Sequence, residues 1–209
     1  MNTAEKRVQQ SDALAQVPAI AAAWKMPDRG SKDQVPMAVL GTMLADGDAS
    51  VFYQSLVKGK ELALNMDVLF GLTSPWEYDG PTLFTVFALY KPDSSADALL
   101  AAMDADIAKI AANGVDEATL KRVKTQMLAD WYNGLEGFLA RADTLAKLQT
   151  LWGDAAVANK IPGWIEAVTS DDIKRVAATY LTKANRTVID RKPAAMMAAP
   201  AAAAPAAKN

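Results

Sequence analysis

The sequence predicts an α+β domain: an antiparallel-rich sheet of about five strands with helices packed on one face, including one very long or bent helix. Three observations predict it. Leu62–Leu72 and Thr82–Lys91 are rich in Val, Leu and Phe and flank the turn-dense TSPWEYDGP, which reads as two strands and their connection. After Lys91 the apolar spacing turns helical for about 90 residues. Shorter strand-like runs stand at the two ends of that order, giving β, β, two helices, β, β, several helices, β.

Taken in order, Ala4–Gln10 is short and weakly strand-like, and Pro18–Met26 is a buried-strand candidate stopped by Pro27. Gln34–Ala45 places Val35, Val39, Leu40, Met43 and Leu44 on one helix face. Ser50–Lys58 continues as helix with Phe52, Tyr53, Leu56 and Val57, and Ser50 can accept orphan amide protons at its start. Ser94 or Ser95 caps a helix striped by Leu99, Met103, Ile107 and Ile110, which Asn113-Gly114 ends in the left-handed region. Asp116 caps a helix of about 35 residues, from Leu120 past Trp131 and Phe138 to Leu145, with Gly134 and Gly137 as the place to bend or break. Thr169 to Asp172 resembles a capping box for a helix carrying Ile173, Val176, Ala177, Tyr180 and Leu181, and Thr187–Ile189 is a last short strand. The expected organisation is one domain over 1–192 and a disordered Ala/Pro tail over 193–209, where ten Ala fall within 194–209 and Pro200 and Pro205 interrupt any helix.

Composition narrows the chemistry. Lys and Arg number 22 against 24 Asp and Glu, a net charge of −2, without the basic excess of a nucleic-acid binder. There is no Cys, so no disulfide, thiolate nucleophile or iron–sulfur site, and no His, so no imidazole acid–base work and none of the common zinc sites. No run approaches the 18 apolar residues of a membrane span, and the opening MNTAEKRVQQSDALAQ lacks the basic-then-apolar pattern of a secretory signal. The glycines form neither a P-loop nor a dinucleotide fingerprint. Asp104/Asp106 and Asp171/Asp172 read as solvated or capping carboxylates, and Lys58, Lys60 and Glu61 as a solvated turn. Trp24, Trp131, Trp152 and Trp164 sit in apolar patterns and read as core, whereas Trp76 and Tyr78, in the Pro/Gly-bounded connection, are candidates for a partner surface. Residue chemistry alone therefore describes an α+β domain without a self-sufficient active site, one that binds, supports or completes something.

Four segments, in order, resemble a known family. They are VLGTMLADGDASVFYQSLV (39–57), KELALNMDV (60–68), NGVDEATLKRVK (113–124) and VTSDDIKRVAATYL (168–181). Together they resemble the C-terminal, non-zinc domain of the insulinase/pitrilysin-type zinc peptidases, the group that includes mitochondrial processing peptidase. The resemblance implies an enzyme of two similar halves. One holds zinc through an inverted His-x-x-Glu-His motif whose Glu activates water. The other closes the peptide chamber and often supplies an Arg and a Tyr seven residues apart. Those two positions fall here on Val57 and Leu64, and Val51 replaces the Arg of the family's Ser-Arg-Leu-Tyr turn. The expectation is a non-catalytic half without zinc or catalytic residues of its own. Its partner would be a zinc-bearing domain of the same protein or of a homologous subunit, with the peptide substrate between them. The alternatives are a degenerate homologue acting as a structural or interaction subunit, and an unrelated α+β binding domain. Bacterial relatives would place the protein in the periplasm or cell envelope.

Overall fold

A computed structural model describes residues 3–71 and 74–197. Within them, β1 (Lys6–Asp12), β2 (Ala19–Lys25), β3 (Ala63–Phe70), β4 (Leu83–Tyr90) and β5 (Arg186–Pro193) form one sheet. Its strand order is β1-β5-β2-β4-β3. β4 runs antiparallel to β2 and β3, and β2 antiparallel to β5. β1 lies parallel to β5, with Lys6 opposite Thr187. The sheet is thus antiparallel-rich, as predicted, but mixed. Among the described residues seven α-helical segments accompany it: α1 Gln34–Ala45, α2 Ala96–Asn113, α3 Glu117–Gly134, α4 Phe138–Trp152, α5 Ile161–Ala167, α6 Ser170–Tyr180 and the single turn α7 Ala194–Met197.

Local chemistry sets most boundaries. Ser95 accepts the Ala98 amide at the start of α2, and Gly114, at φ 71°, ends it. Asp116 accepts the Thr119 amide at the start of α3. The long helix breaks where expected: α3 ends at Gly134 and α4 begins after Gly137. Thr169 and Asp172 form the reciprocal capping box of α6. The segment after Ser50 differs from the expected α-helix. Ser50 does accept the Tyr53 amide, at 3.4 Å, but Tyr53–Gly59 widens into a π-helical stretch, so that the Lys60 amide reaches back five residues to the Ser55 carbonyl. α5 and a 3-10 turn at Ala155–Asn159 lie within the block read only as several helices. The tail expected from residue 193 begins with ordered structure, since Pro193 closes β5 and α7 follows; residues 198–209 lie outside the described residues.

α1 is apolar almost all round and is buried from Pro36 to Ala45. With α2 and α6 it covers one face of the sheet, where Trp24, Phe52, Phe84, Tyr90, Leu99 and Met103 are fully buried. A second cluster, around Trp76, Leu148, Ile161 and Ile165, seats α4 and α5 on the outside of α1. Gly41 allows α1 its close approach to the sheet: a Cβ there would meet the Phe70 ring at 2.5 Å and the Phe84 ring at 2.7 Å.

Arg186 is the largest charged group in this core. Its side chain is wholly buried, yet it is saturated with partners. It donates to Glu5 at 2.6 Å and forks onto both oxygens of Asp104 at 2.6 and 3.2 Å, beside the Trp24 ring. Burial of Glu5 disfavours its charge, but the hydrogen bonds from Arg7 and Arg186 outweigh that and hold its carboxyl below the ordinary value.

Four outcomes follow for stability, measured by urea unfolding. Gly41→Ala should destabilise by about 1–2 kcal/mol, because overpacking two rings outweighs the better helix propensity. Gly134→Ala, with no atom within 4 Å of the new Cβ, should be neutral or slightly stabilising. Arg186→Leu should cost about 3 kcal/mol at neutral pH, because Asp104 loses its forked partner and Glu5 one of its two arginines. Because Glu5 titrates lower in the folded chain than the 4.5 of a free side chain, the wild type should lose stability as pH falls below about 4.5, and the penalty of Arg186→Leu should shrink in the same range.

Candidate functional site

The sequence-expected positions come first. Val57 lies in the π-helical stretch, half-buried against the main core. Leu64 is the bulged residue of β3, 45% exposed. Neither carries a hydrogen-bond donor, so the structure assembles no Arg/Tyr-like pair there. Trp76 and Tyr78 do not present exposed rings. Trp76 packs edge-on against Trp131 within the second cluster, and its carbonyl accepts the Trp152 indole N–H. Tyr78 donates to the Pro27 carbonyl at 2.9 Å, and burial followed by the nearby Asp28 pushes its pKa up to about 12. The connection folds back over the end of the sheet because both rings find apolar cover there and the Tyr78 hydroxyl and the Trp76 backbone carbonyl find polar partners.

Three of the four paired carboxylates have structural employment. Asp104 binds Arg186, Asp106 is buried beside Lys109, and Asp172 closes the α6 cap and binds Arg175. Glu61 pairs with Lys91, and Lys58 sits 5.8 Å from the Tyr53 ring. No group of three or more His, Cys, Asp or Glu able to hold a metal ion occurs among the described residues. The donor set does not fit zinc in any case, since the whole sequence lacks both His and Cys.

What the structure does assemble is a bare sheet face. The helices cover one side only. On the other, register aligns Val8, Ile189, Ala21, Phe87 and Asp67 in one row across all five strands. The neighbouring row brings Thr187, Ala23, Thr85 and Leu69 together. Val8, Leu69, Leu83, Phe87 and Ile189 are 38–55% exposed, so this is a contiguous apolar surface rather than scattered side chains. Asn65 and Asp67 border it on β3, and Lys6 and Gln10 on β1. Beyond the β3 border, Asp46 at the end of α1 is raised above the ordinary carboxylate value, mainly by burial and then by Asp130 and Asp67. The sequence held one signal for this face. β4 reads LFTVFALY, apolar on both alternating sides, in a sheet with helices for one side only.

This geometry can bind a broad apolar partner. Comparison with known proteins agrees with it. The family model described as the peptidase M16 inactive domain matches residues 2–127, more than half of the chain. Zinc protease PqqE of Helicobacter pylori is 25% identical over 180 residues, covering 83% of this chain and 38% of its own length. An uncharacterized zinc protease of Streptomyces coelicolor is 27% identical over 164 residues, covering 78% and 33%. The chain thus spans about a third of the curated relatives it matches. Among solved structures, a protease from Helicobacter pylori superposes with a TM-score of 0.81 at 22% identity, over 92% of this chain and 45% of that one. The inactive peptidase domain solved from Bordetella parapertussis gives 0.74 at 23% identity, over 85% and 93%. At those identities the likeness speaks for the fold. The family model decides the rest: this chain belongs to the peptidase M16 inactive-domain family.

Proposed function

We propose that the chain is the non-catalytic half of an M16 zinc peptidase, closing the peptide chamber opposite a zinc-bearing half. The observation that carries this reading is the bare apolar sheet face on a domain whose sequence contains no His or Cys. Water penetrates an exposed apolar face at a free-energy cost, and covering it with a second half, or with a peptide held between the two, recovers that cost. The zinc-bearing half is either another part of the same polypeptide or a homologous subunit. The relatives named as zinc proteases support this, because each extends well beyond the region this chain matches. Zinc chemistry belongs to that other half, and no step of it is assigned to residues here. The absence of a donor at Val57 and Leu64 favours a second reading, in which the domain serves only as a structural or interaction subunit.

Metal analysis and a peptidase assay on the purified chain test the first half of the proposal: zinc well below one ion per chain and no cleavage are expected. Stoichiometric zinc with cleavage would contradict it. Phe87→Lys tests the second half. Phe87 is 38% exposed, so the variant should change stability by no more than about 0.5 kcal/mol while weakening association with the zinc-bearing half at least about tenfold in a pull-down titration. Undiminished association would place the contact elsewhere.

A further inference from the structure

In the helical layer, on the covered side of the sheet, the loop entering α1 and the ends of α4 and α5 enclose a cleft of about 330 Å³. It is independent of the role given to the open face. Its volume is that of a small ligand site. Two tryptophans wall it: the Trp152 and Trp164 rings stand 5.7 Å apart at 33°, and Val35 adds to the apolar lining.

Of the polar groups lining this cleft, Gln34 and Asp172 have partners, but other groups at or beside it are donors left without acceptors. The Ser31 hydroxyl is buried and has no hydrogen-bond partner among the described residues. The Arg29 guanidinium lies 5.1 Å from the centre of the Trp152 ring. One of its terminal nitrogens binds Asp79, while the other, Nη1, is buried without a partner. Lys32 lines the cleft and enters no ion pair among the described residues. Asp172 also lines the cleft, but its charge is met by Arg175, which binds Asp33 as well. Buried donors in native proteins almost always find an acceptor. Arginine and lysine can only donate, so an acceptor brought from outside must carry lone pairs, and next to two cations a charged one is favoured.

We propose that this cleft binds a carboxylate joined to an aromatic or branched apolar group. The apolar part lies against the Trp152 and Trp164 rings, and the carboxylate takes the free donors of Ser31 and Lys32, with the Arg29 guanidinium behind the Trp152 ring. A small organic acid and the C-terminal residue of a peptide both present this chemistry.

The indole N–H signals of the nitrogen-15-labelled chain test it directly, since there are only five tryptophans. Trp164→Phe identifies one of the two signals of interest, and the Trp152 signal is assigned by through-bond experiments. The probes are N-acetyltryptophan and its uncharged amide, which share a body and differ in the carboxylate. Saturable movement of the Trp152 and Trp164 signals with the acid is expected, with the amide at least about tenfold weaker. Lys32→Ala and Ser31→Ala, both small changes at the edge of the fold, should each weaken the acid several-fold and leave the amide unchanged. A short peptide ending in tryptophan with a free carboxylate then separates the sources. Tighter binding than the acetylated residue assigns the cleft to peptide C-termini, and equal or weaker binding assigns it to small acids. No saturable movement up to about 10 mM acid, or equal movement with acid and amide, would overturn the proposal.

Discussion

The buried Arg186 guanidinium ties the two ends of the domain together. Glu5 precedes β1, Arg186 opens β5, Asp104 belongs to α2 and the Trp24 ring is on β2, so one side chain joins four elements. Placing a charge in this position is costly unless it is paired and hydrogen-bonded, and the forked contact to Asp104 with the bond to Glu5 meets that demand. Arg7, donating to both Glu5 and Asp97, extends the lock along β1 to the N-terminal turn of α2. With β1 held against β5, the sheet reaches five strands and α2 is fixed across its covered side. The helices then have one face to occupy, and α4 and α5 stack outward on α1 through the tryptophan cluster rather than wrapping round the sheet. The open face is the consequence.

How far the sequence foretells this depends on how local each cause is. α1 occupies Gln34–Ala45, the span its apolar spacing predicts, and Ser95, Asp116 and Thr169 cap the helices they were expected to cap, because a cap needs only residues three apart. The break at Gly134 and Gly137 is local in the same way. The parallel pairing of β1 with β5 is not, since its partners are separated by nearly the whole chain, and a strand as polar as KRVQQSD carries no pattern that says which edge it joins. The widening of Tyr53–Gly59 into a π-helix has no sequence signature that separates it from an ordinary amphipathic turn.

The site was legible in what it lacks. The missing histidines and cysteines direct attention away from imidazole, thiolate and zinc chemistry and towards association. Its positive content was harder to read. Trp76 and Tyr78, in a Pro- and Gly-rich connection, look like surface aromatics, but the Tyr78 hydroxyl donates to the distant Pro27 carbonyl and the Trp76 backbone carbonyl accepts the Trp152 indole N–H, and both rings turn inward. The exposed apolar residues instead alternate within strands that also supply the core, and only the one-sided helix layer shows which of the two faces is bare.

The claim on which the functional account rests is that this domain works opposite a zinc-bearing half. Native isolation of the domain from its source cells, followed by peptide mass mapping and zinc analysis of the isolated species, tests this most directly. The account predicts that a His-x-x-Glu-His segment and about one zinc ion accompany each copy of the domain, within the same polypeptide or in a tightly bound subunit. Isolation of the domain with neither the motif nor zinc would contradict it and leave the structural-subunit reading in its place.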